Sequence, residues 1–558
     1  MTTYYVSKEA GASDGNAGTS QLLPWLTISK VNGSSFAAGD AILFRCGDLW
    51  REQLTAPSSG SSGQPIVFGS YGTGAQPIIS GANVVTGWAP AGVGTNTYSV
   101  SLATQCRGVI VNGSWSVLGS GFASLNNGQW FWAANVLYYR SDAGNPDSIS
   151  LTIEATQRSR CLNAVAKHFL TVQDITFTAG DTFGVVFDTS NNALVQRCTF
   201  TLMATNGSNF GCVYFGDNTG CTATGNTFTN VYNKGIVLLR AVGASLVYNT
   251  ITPINGTASD GIFCFGATSC TISNNYINMV GSDSGKGCII ITTSANPSTG
   301  NLVSRNICVD GNYGIAMSSP SSICSDNLCV NTGVTPAQPW NAGLYIADVA
   351  NMDGIAMYRN IVTGAVNGLH INGAFDRSNF TFQHNTLMAC SSNGVFIDGS
   401  SKVSGFFRNN IVASASGFTG FVFNAQAGTG VVAAQSWTSD YNCFYPETAS
   451  HFVLYLGGTN YDTLAAYQSG ASQDAHSIKN DPLLVSGGSV PGDLQSTSPC
   501  INAGVVIAGI NDGASGAPQY IGTAPDMGAI EYSPRSRARP WKKDQPMTGG
   551  LHNYRPWQ

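Results

Sequence analysis

The sequence is short of charge. Asp, Glu, Lys and Arg make up 10% of its 558 residues, whereas an ordinary soluble domain carries about 25%. A disordered chain is nevertheless excluded, because 43% of the residues are apolar and 10% are aromatic, and this is enough apolar surface to build a core. Gly, Ser, Thr and Asn take the place of the charged residues, a composition typical of many short strands joined by turns.

Long hydrophobic runs and metal-binding cysteine patterns are also missing. No apolar run approaches the roughly 20 residues of a membrane-spanning helix. The N-terminus MTTYYVSKEAGASDG has no basic segment followed by an apolar one, so we expect no signal peptide. The 15 cysteines are an odd number without close-spaced pairs. We therefore predict no metal site or cofactor, and we assign most cysteines to the core as small apolar residues.

The few charges are unevenly distributed. Residues 533–558 carry six basic side chains and one acidic one, while the rest of the chain is acidic enough to make the net charge −5. An acidic body is not expected to bind nucleic acid. Four prolines disfavour regular structure in the tail, so we predict that it anchors the protein to a larger assembly. The anchoring residues would be its basic and aromatic ones: Arg535, Arg537, Arg539, Trp541, Lys542, Lys543, Tyr554 and Trp557.

A glycine followed by alternating apolar residues recurs along the middle of the chain at spacings of 24–29 residues. The repeats begin at Gly184, Gly211, Gly235, Gly261, Gly287, Gly314, Gly343, Gly368, Gly394 and Gly420. A second motif with a central asparagine alternates with the first. These asparagines are Asn226, Asn249, Asn275, Asn306, Asn327, Asn360, Asn385 and Asn410. Internal repeats of this length indicate a solenoid.

The repeat predicts one turn of a parallel β-coil. It has room for three short strands, and it lacks the regular leucines and the helix of a leucine-rich repeat. Rungs about 4.8 Å apart would place equivalent residues in columns, and a turn asparagine can bond the asparagine of the next rung. We predict an all-β fold: a single-stranded right-handed parallel β-helix of more than ten rungs, with an N-terminal cap and an irregular C-terminal segment.

The residues after each glycine predict an interface. The first and third residues after the glycine should point inward, so the second should face solvent. That outer column is nevertheless apolar, and strands that are apolar on both faces are usually covered on both. We therefore predict a homotrimer that buries Val186, Val213, Val237, Phe263, Ile289, Tyr345, His370 and Phe396.

The two ends of the chain resemble the pectate-lyase-like β-helix superfamily. The resemblance lies in TYYVSKEAGASDGNAGTSQLLPWLTISKVN, GDAILFRCGDLWREQL and GSYGTGAQPIISG at the start, and in SGASQDAHSIKNDPLL, STSPCINAG and PDMGAIEY near the end. It implies the β-helix fold for about residues 3–532, but no particular activity. We divide the chain into a cap with the first rungs (1–160), a regular β-helix (161–445), a C-terminal segment (446–532) and the tail (533–558).

One row of charged residues is a candidate catalytic site. Lys234, Asp260 and Lys286 each precede a repeat glycine, so they should stack on successive rungs. A lyase needs a base and a cation beside an acidic sugar, which such a row would supply. A ladder of alternating charges that only relieves repulsion between rungs is the alternative, and we favour it.

Two functions fit these observations. The first is a phage virion protein, such as a spike, fibre or capsid-surface protein, which reaches the outside by cell lysis and binds a host polysaccharide. Its tail would bind other virion proteins. The second is a secreted lyase or glycoside hydrolase that acts on acidic polysaccharide. We prefer the first, because the tail and the apolar outer column both call for partners.

Overall fold

The computed structural model describes most of the chain. The described residues are 1–92, 96–203, 211–232, 234–252, 260–280, 287–293, 298–332, 341–347, 352–372, 376–398, 403–413, 418–424, 436–446, 452–456, 460–485, 491–512, 519–533, 541–542 and 555–556. Within them the fold is the predicted right-handed parallel β-helix, with three strands in each rung. No helix in these ranges has the length and hydropathy needed to cross a membrane.

Each rung contributes one strand to each of three parallel sheets, which we number in chain order. The chain forms two compact units, 1–244 with 249–259 and 245–248 with 260–558. The strands of sheet 1 in the first unit are Thr3–Val6, Ala41–Arg45, Ile66–Tyr71, Leu170–Gln173, Leu194–Gln196 and Thr222–Thr224. Those of sheet 2 are Leu49–Trp50, Ile78–Ser80, Thr176–Thr178, Thr199–Thr201, Thr227–Thr229 and Thr250–Ile251. Those of sheet 3 are Leu54–Thr55, Arg160–Asn163, Phe183–Asp188, Gly211–Gly216 and Lys234–Leu239.

The second unit repeats the same three sheets. Its sheet 1 consists of Ser245–Val247, Thr271–Ser273, Leu302–Ser304, Ile323–Ser325, Met352–Asp353, Ala356–Tyr358, Arg377–Gln383, Val403–Arg408 and Ser436–Asp440. Its sheet 2 consists of Tyr276–Asn278, Ile307–Val309, Leu328–Val330, Ile361–Thr363, Thr386–Met388, Ile411–Ala413 and Cys443–Tyr445. Its sheet 3 consists of Ile262–Phe265, Gly287–Thr292, Tyr313–Met317, Ala342–Ile346, Asn367–Ile371, Asn393–Asp398, Phe418–Asn424 and Val453–Leu456.

An antiparallel insertion interrupts the early rungs. It leaves the β-helix after the sheet 2 strand Ile78–Ser80 and returns before the sheet 3 strand Arg160–Asn163. Two antiparallel sheets enclose a core that includes Trp88, Trp130 and Tyr139. Its elements are Ala82–Val84, Ala89–Pro90, Thr97–Ser101, Val109–Val111, Ser114–Trp115, the 3-10 helix Phe122–Ser124, Trp130–Ala133, Val136–Arg140 and Ile153–Thr156.

Two short α-helices complete the regular structure. Helix Ile28–Asn32 begins at Thr27, whose hydroxyl accepts a hydrogen bond from the Lys30 amide. Helix Leu464–Ala471 begins at Thr463 in the same way. Both hydroxyls satisfy a backbone donor that the first turn of a helix leaves free.

The asparagine column is a continuous hydrogen-bonded ladder within each unit. In the second unit, Asn327 donates from its side chain and its backbone to Oδ1 of Asn360, at 2.9 and 3.1 Å. Asn360 does the same to Asn385, at 3.0 and 2.9 Å. These side chains are fully buried, so each rung satisfies polar groups of the previous one. The left-handed residue of the turn is the one before the asparagine, such as Arg359 at φ 53°.

The repeat glycines lie where the chain crosses from sheet 2 to sheet 3. A Cβ on Gly314 would lie 2.5 Å from both the Cys329 sulfur and the Gly343 carbonyl oxygen. A side chain there would collide with the core and with the next rung. Gly211 and Gly287 do not share this position, because they pair with Lys234 and Tyr313 rather than with repeat glycines. The prediction of a single glycine column is therefore wrong by one residue at these two rungs.

The C-terminal segment covers the outer face of sheet 2 in the second unit. Ile530 packs on Ile307, Leu328 and Ile361. These three strand residues are at most 2% exposed, and Ile530 is 8% exposed. Farther along the sheet, Ile411 and Cys443 pack against other residues of the segment: Leu494, Cys500 and Met527. The apolar outer residues of these strands are thus buried by the chain itself, which explains why their sequence is apolar on both faces.

Candidate binding face

In the first unit the outer face of sheet 2 is a regular array of threonines. Four successive rungs read TFT, TFT, TFT and TIT, and the middle residue points into the core. The threonines are Thr176 and Thr178, Thr199 and Thr201, Thr227 and Thr229, and Thr250 and Thr252. All are partly exposed or exposed. We call these eight residues the threonine face.

The threonine face has a rigid backing. Phe177, Phe200 and Phe228 lie directly beneath it and are fully buried. Their rings stack in sequence, with centroids 5.4 and 4.9 Å apart and interplanar angles of 20° and 10°. The strands pair in register from rung to rung. The hydroxyls therefore form a grid of about 4.8 Å between rungs and about 6.6 Å along each strand.

The antiparallel insertion borders one edge of the threonine face. Trp115 and Leu202, the residue after Thr201, both pack against a small core of Ala82, Ile110 and Ala179. The Trp115 indole N–H donates to the carbonyl of Asn230 at 3.4 Å. The Trp115 ring meets the Tyr232 ring edge-on, with centroids 6.0 Å apart. Tyr232 is 45% exposed. An aromatic pair thus stands beside the carboxyl ends of the threonine strands.

The opposite edge is polar. The Thr176 hydroxyl lies 3.1 Å from Oε1 of Gln76, whose amide donates to the Arg197 carbonyl at 2.7 Å. Arg197 makes two hydrogen bonds of 2.8 Å to the carboxylate of Asp174. These bonds raise the pKa of Arg197, and they occupy both carboxylate oxygens.

This arrangement is suited to binding rather than to acid–base chemistry. Threonine offers a hydroxyl that donates and accepts and a methyl group that packs on apolar surface. Neither group has a pKa near neutrality. The face lacks the pair of carboxyl groups that glycoside hydrolysis uses, since its eight side chains are all threonine.

Two of the three residues of the predicted catalytic row, Lys234 and Asp260, lie in the described part of the chain, and both are buried. Lys234 and Asp260 are only 3% and 4% exposed, and they belong to different units. The Gly287 amide donates to Oδ1 of Asp260 at 3.3 Å. Gly287 therefore occupies the position in the row that was predicted for Lys286, which lies outside the described residues. Catalysis through this row stays a prediction.

Two of the predicted interface residues point the other way. Val213 and Ile289 face the core and are fully buried there, because the register is shifted by one residue at Gly211 and Gly287. Tyr214 and Ile290 take their places in the outer column.

The other predicted interface residues are in the outer column as expected. Val186, Val237, Tyr345 and His370 are at most 8% exposed in the single chain, while Phe263 and Phe396 are partly exposed. The His370 ring packs between those of Tyr345 and Phe396, at 5.2 and 4.7 Å. Their burial does not require a partner, so the homotrimer stays a prediction without this support.

The tail residues lie largely outside the described part of the chain. Only Trp541–Lys542 and Arg555–Pro556 are described, and they form a two-stranded antiparallel pair. The anchoring role of the tail therefore stays a prediction.

Sequence reasoning missed the threonine face, although its signal is visible. The three TFT motifs recur at 176, 199 and 227, and a TIT follows at 250. Each of these motifs directly follows the asparagine position of its rung, and threonine is also common in ordinary strands. The structure adds that the outer face of sheet 2 is apolar and covered by the C-terminal segment in the second unit. In the first unit this face consists of threonines that are partly exposed or exposed.

No family model matches the chain. A segment of 89 residues is 36% identical to a lacto-N-biosidase of Bifidobacterium longum subsp. longum, covering 15% of this chain and 6% of that protein. Among solved structures, the XylC–xylose complex is 14% identical, with 87% of each chain covered and a TM-score of 0.49. The tailspike gp61 of Pseudomonas phage phi297 is 11% identical, with 75% of this chain and 73% of the tailspike covered and a TM-score of 0.41.

Proposed function

We propose that the protein is a β-helical polysaccharide-binding protein and that the threonine face is its binding surface. The observation that carries this proposal is the four-rung array of paired hydroxyls on a regular sheet that is backed by stacked phenylalanines. Hydroxyls at fixed spacing match the hydroxyl-rich surface of a sugar chain, and each good hydrogen bond contributes about 1 kcal/mol. Several weak contacts repeated along a polymer then add up. A saccharide ligand also agrees with the segment shared with a lacto-N-biosidase.

Removal of the hydroxyls tests this proposal. Thr199, Thr201, Thr227 and Thr229 would be changed together to valine, which keeps the side-chain shape and the strand propensity. We expect retention of the variant on immobilised polysaccharides to weaken by about tenfold or more, the equivalent of one or two hydrogen bonds.

The matched control is the double variant Thr222→Val and Thr224→Val. These two threonines lie in the same rung as Thr227 and Thr229, but on sheet 1. The control should bind like the wild type. Equal binding by both variants, or no binding of any polysaccharide by the wild type, would exclude the threonine face as a polysaccharide site.

We further infer that the protein is part of a phage virion and binds a host surface polysaccharide. The support comes from the basic, aromatic tail, which has the composition of an interface anchor. A lyase or hydrolase is the alternative. The burial of Lys234 and Asp260 counts against it, because a catalytic base must reach its substrate. A release assay for reducing ends or unsaturated uronates, run on the polysaccharide that the protein retains, separates binding from cleavage.

A further inference from the structure

The charges around the threonine face indicate which class of polysaccharide it accepts. We propose that its ligand is an uncharged, extended glycan that lies across the rungs, with about one sugar facing each rung. This inference rests on the proposed function and narrows it. It departs from the sequence-based alternative of an enzyme that acts on acidic polysaccharide.

The first argument is electrostatic. All eight side chains of the face are neutral. Arg197, the cation at the polar edge, is held by two hydrogen bonds to Asp174. Arg51, which follows an earlier sheet 2 strand, pairs with Glu154 of the insertion at 2.5 Å. A uronate that bound through Arg197 or Arg51 would have to displace the carboxylate partner of that cation.

The second argument is geometric. The rungs repeat about every 4.8 Å, which is close to the length of one pyranose unit in an extended chain. Four rungs span about 14 Å between the first and the last, whereas a three-residue strand spans about 10 Å. A chain that runs across the rungs therefore meets an equivalent pair of hydroxyls at each sugar. A chain that runs along a strand would meet one pair and then leave the face.

The third argument is the aromatic edge. Trp115 and Tyr232 stand at the carboxyl ends of the threonine strands, and Tyr232 is 45% exposed. Aromatic rings pack well against the C–H faces of sugars, and neutral sugars keep these faces free of charge. The carboxylates and sulfates of acidic glycans bring charge and bound water to such a surface, which costs desolvation energy.

Isothermal titration of the full-length protein tests the inference. The probes are neutral gluco-, xylo-, manno- and galacto-oligosaccharides from disaccharide to hexasaccharide, together with oligogalacturonates and oligoalginates of the same lengths. We expect a neutral series to bind, with affinity rising up to the tetrasaccharide and levelling off beyond it. The affinity should be the same in low and high salt, because no charge pair forms.

Two variants link binding to the site. Tyr232→Ala should weaken binding of the neutral series by about tenfold, because it removes the exposed ring that would pack against a sugar. Phe406→Ala is the matched control, since Phe406 is similarly exposed at 40% but lies on sheet 1 of the second unit. It should leave binding unchanged.

The possible failures are distinguishable. Tighter, salt-sensitive binding of the oligouronates would overturn the neutral-glycan inference and leave the proposed function in place. Affinity that does not depend on length beyond the disaccharide would overturn the one-sugar-per-rung arrangement. If neither class binds, and the threonine-to-valine variant behaves like the wild type on every polysaccharide, the proposed function itself is wrong.

Discussion

The side-chain amide of Asn442 donates to Oδ1 of Asp474 at 3.0 Å. This contact ends the asparagine ladder of the second unit, because the C-terminal segment supplies Asp474 where another rung would supply an asparagine. Ser477 completes the end of the ladder, since its hydroxyl oxygen accepts from the Asn442 backbone at 2.7 Å. Asp474 is 1% exposed, and burial raises its pKa to about 6. The ladder thus ends on a carboxyl group that is costly to ionise.

Replacement of Asp474 by asparagine should stabilise the protein at alkaline pH. The folded-state pKa lies above the unfolded value, so the wild type loses stability as the pH rises from about 4 through about 6. The loss amounts to about 3 kcal/mol at most. Thermal unfolding of D474N and of the wild type should therefore differ clearly at pH 8 and little at pH 4. The exposed residue Asp462 provides the control variant D462N, and an equal effect of the two variants would contradict this reading.

His384 should make the contact of the C-terminal segment sensitive to acid. Its Nε2 lies 2.7 Å from the Asn409 amide nitrogen and 3.0 Å from that of Asn511, and its Nδ1 lies 3.3 Å from the Gly528 carbonyl oxygen. The ring is therefore neutral, with Nε2 accepting and Nδ1 donating. Burial is the largest cause that lowers its pKa to about 4, and the charge of Arg359 lowers it further.

Acid should weaken the contact between His384 and the C-terminal segment. The pKa of His384 is lower in the folded protein than in the unfolded chain, so its contribution to stability is present above about pH 6.5 and is lost as the pH falls towards 4. The protection factor of the Gly528 amide, which is the intrinsic exchange rate at each pH divided by the observed rate, should be much lower at about pH 4.5 than at pH 7 in the wild type. The protection factor in the variant H384Q should depend much less on pH. The same change of protection factor with pH in both proteins would rule out His384 as the cause.

The substitution Gly314→Ala should destabilise the second unit by about 1–3 kcal/mol or more. Its Cβ would collide with the carbonyl oxygen of Gly343, and a backbone atom cannot move aside as a side chain can. Overpacking of this kind typically costs about 1–3 kcal/mol and sometimes more. The control is Gly15→Ala, where an added Cβ would meet only the Ser13 hydroxyl at 3.5 Å. Urea denaturation of the two variants should separate them, and equal midpoints would refute the steric explanation.

A truncated protein that ends at Tyr532 should fold normally and lose only its predicted anchoring to a larger assembly. The residues beyond position 532 have no apolar periodicity that would add a core strand or helix. Circular dichroism and the thermal midpoint should match those of the full chain. If the protein is a virion component, as we propose, its incorporation into virions during infection should fail. Normal incorporation would place the anchor elsewhere, and loss of folding would show that the tail belongs to the fold.

The repeat was predictable because every rung needs the same residue types at equivalent positions. Inward residues such as Val185 and Phe187 must be apolar, and Asn360 must satisfy buried backbone groups of the neighbouring rung, so both patterns are written into every repeat. The register was less predictable. Gly211 and Gly287 are followed by apolar residues just as the other repeat glycines are, yet each lies one position earlier in its strand, opposite Lys234 and Tyr313. A shift by one residue turns Val213 and Ile289 inward, since side chains alternate along a strand.

The sequence by itself determined the parallel β-helix, its period, its core columns and its asparagine ladder, because all of these depend on contacts between equivalent residues of adjacent rungs. Only the tertiary structure decided which outer surfaces are covered. The C-terminal segment lies on sheet 2 of the second unit, through contacts such as that of the Ala529 amide with the Thr386 hydroxyl at 2.9 Å. Contacts between residues so far apart in the chain produce no periodic pattern in the sequence. The threonine face could therefore be recognised as a surface only once the positions of the C-terminal segment and of the insertion were known.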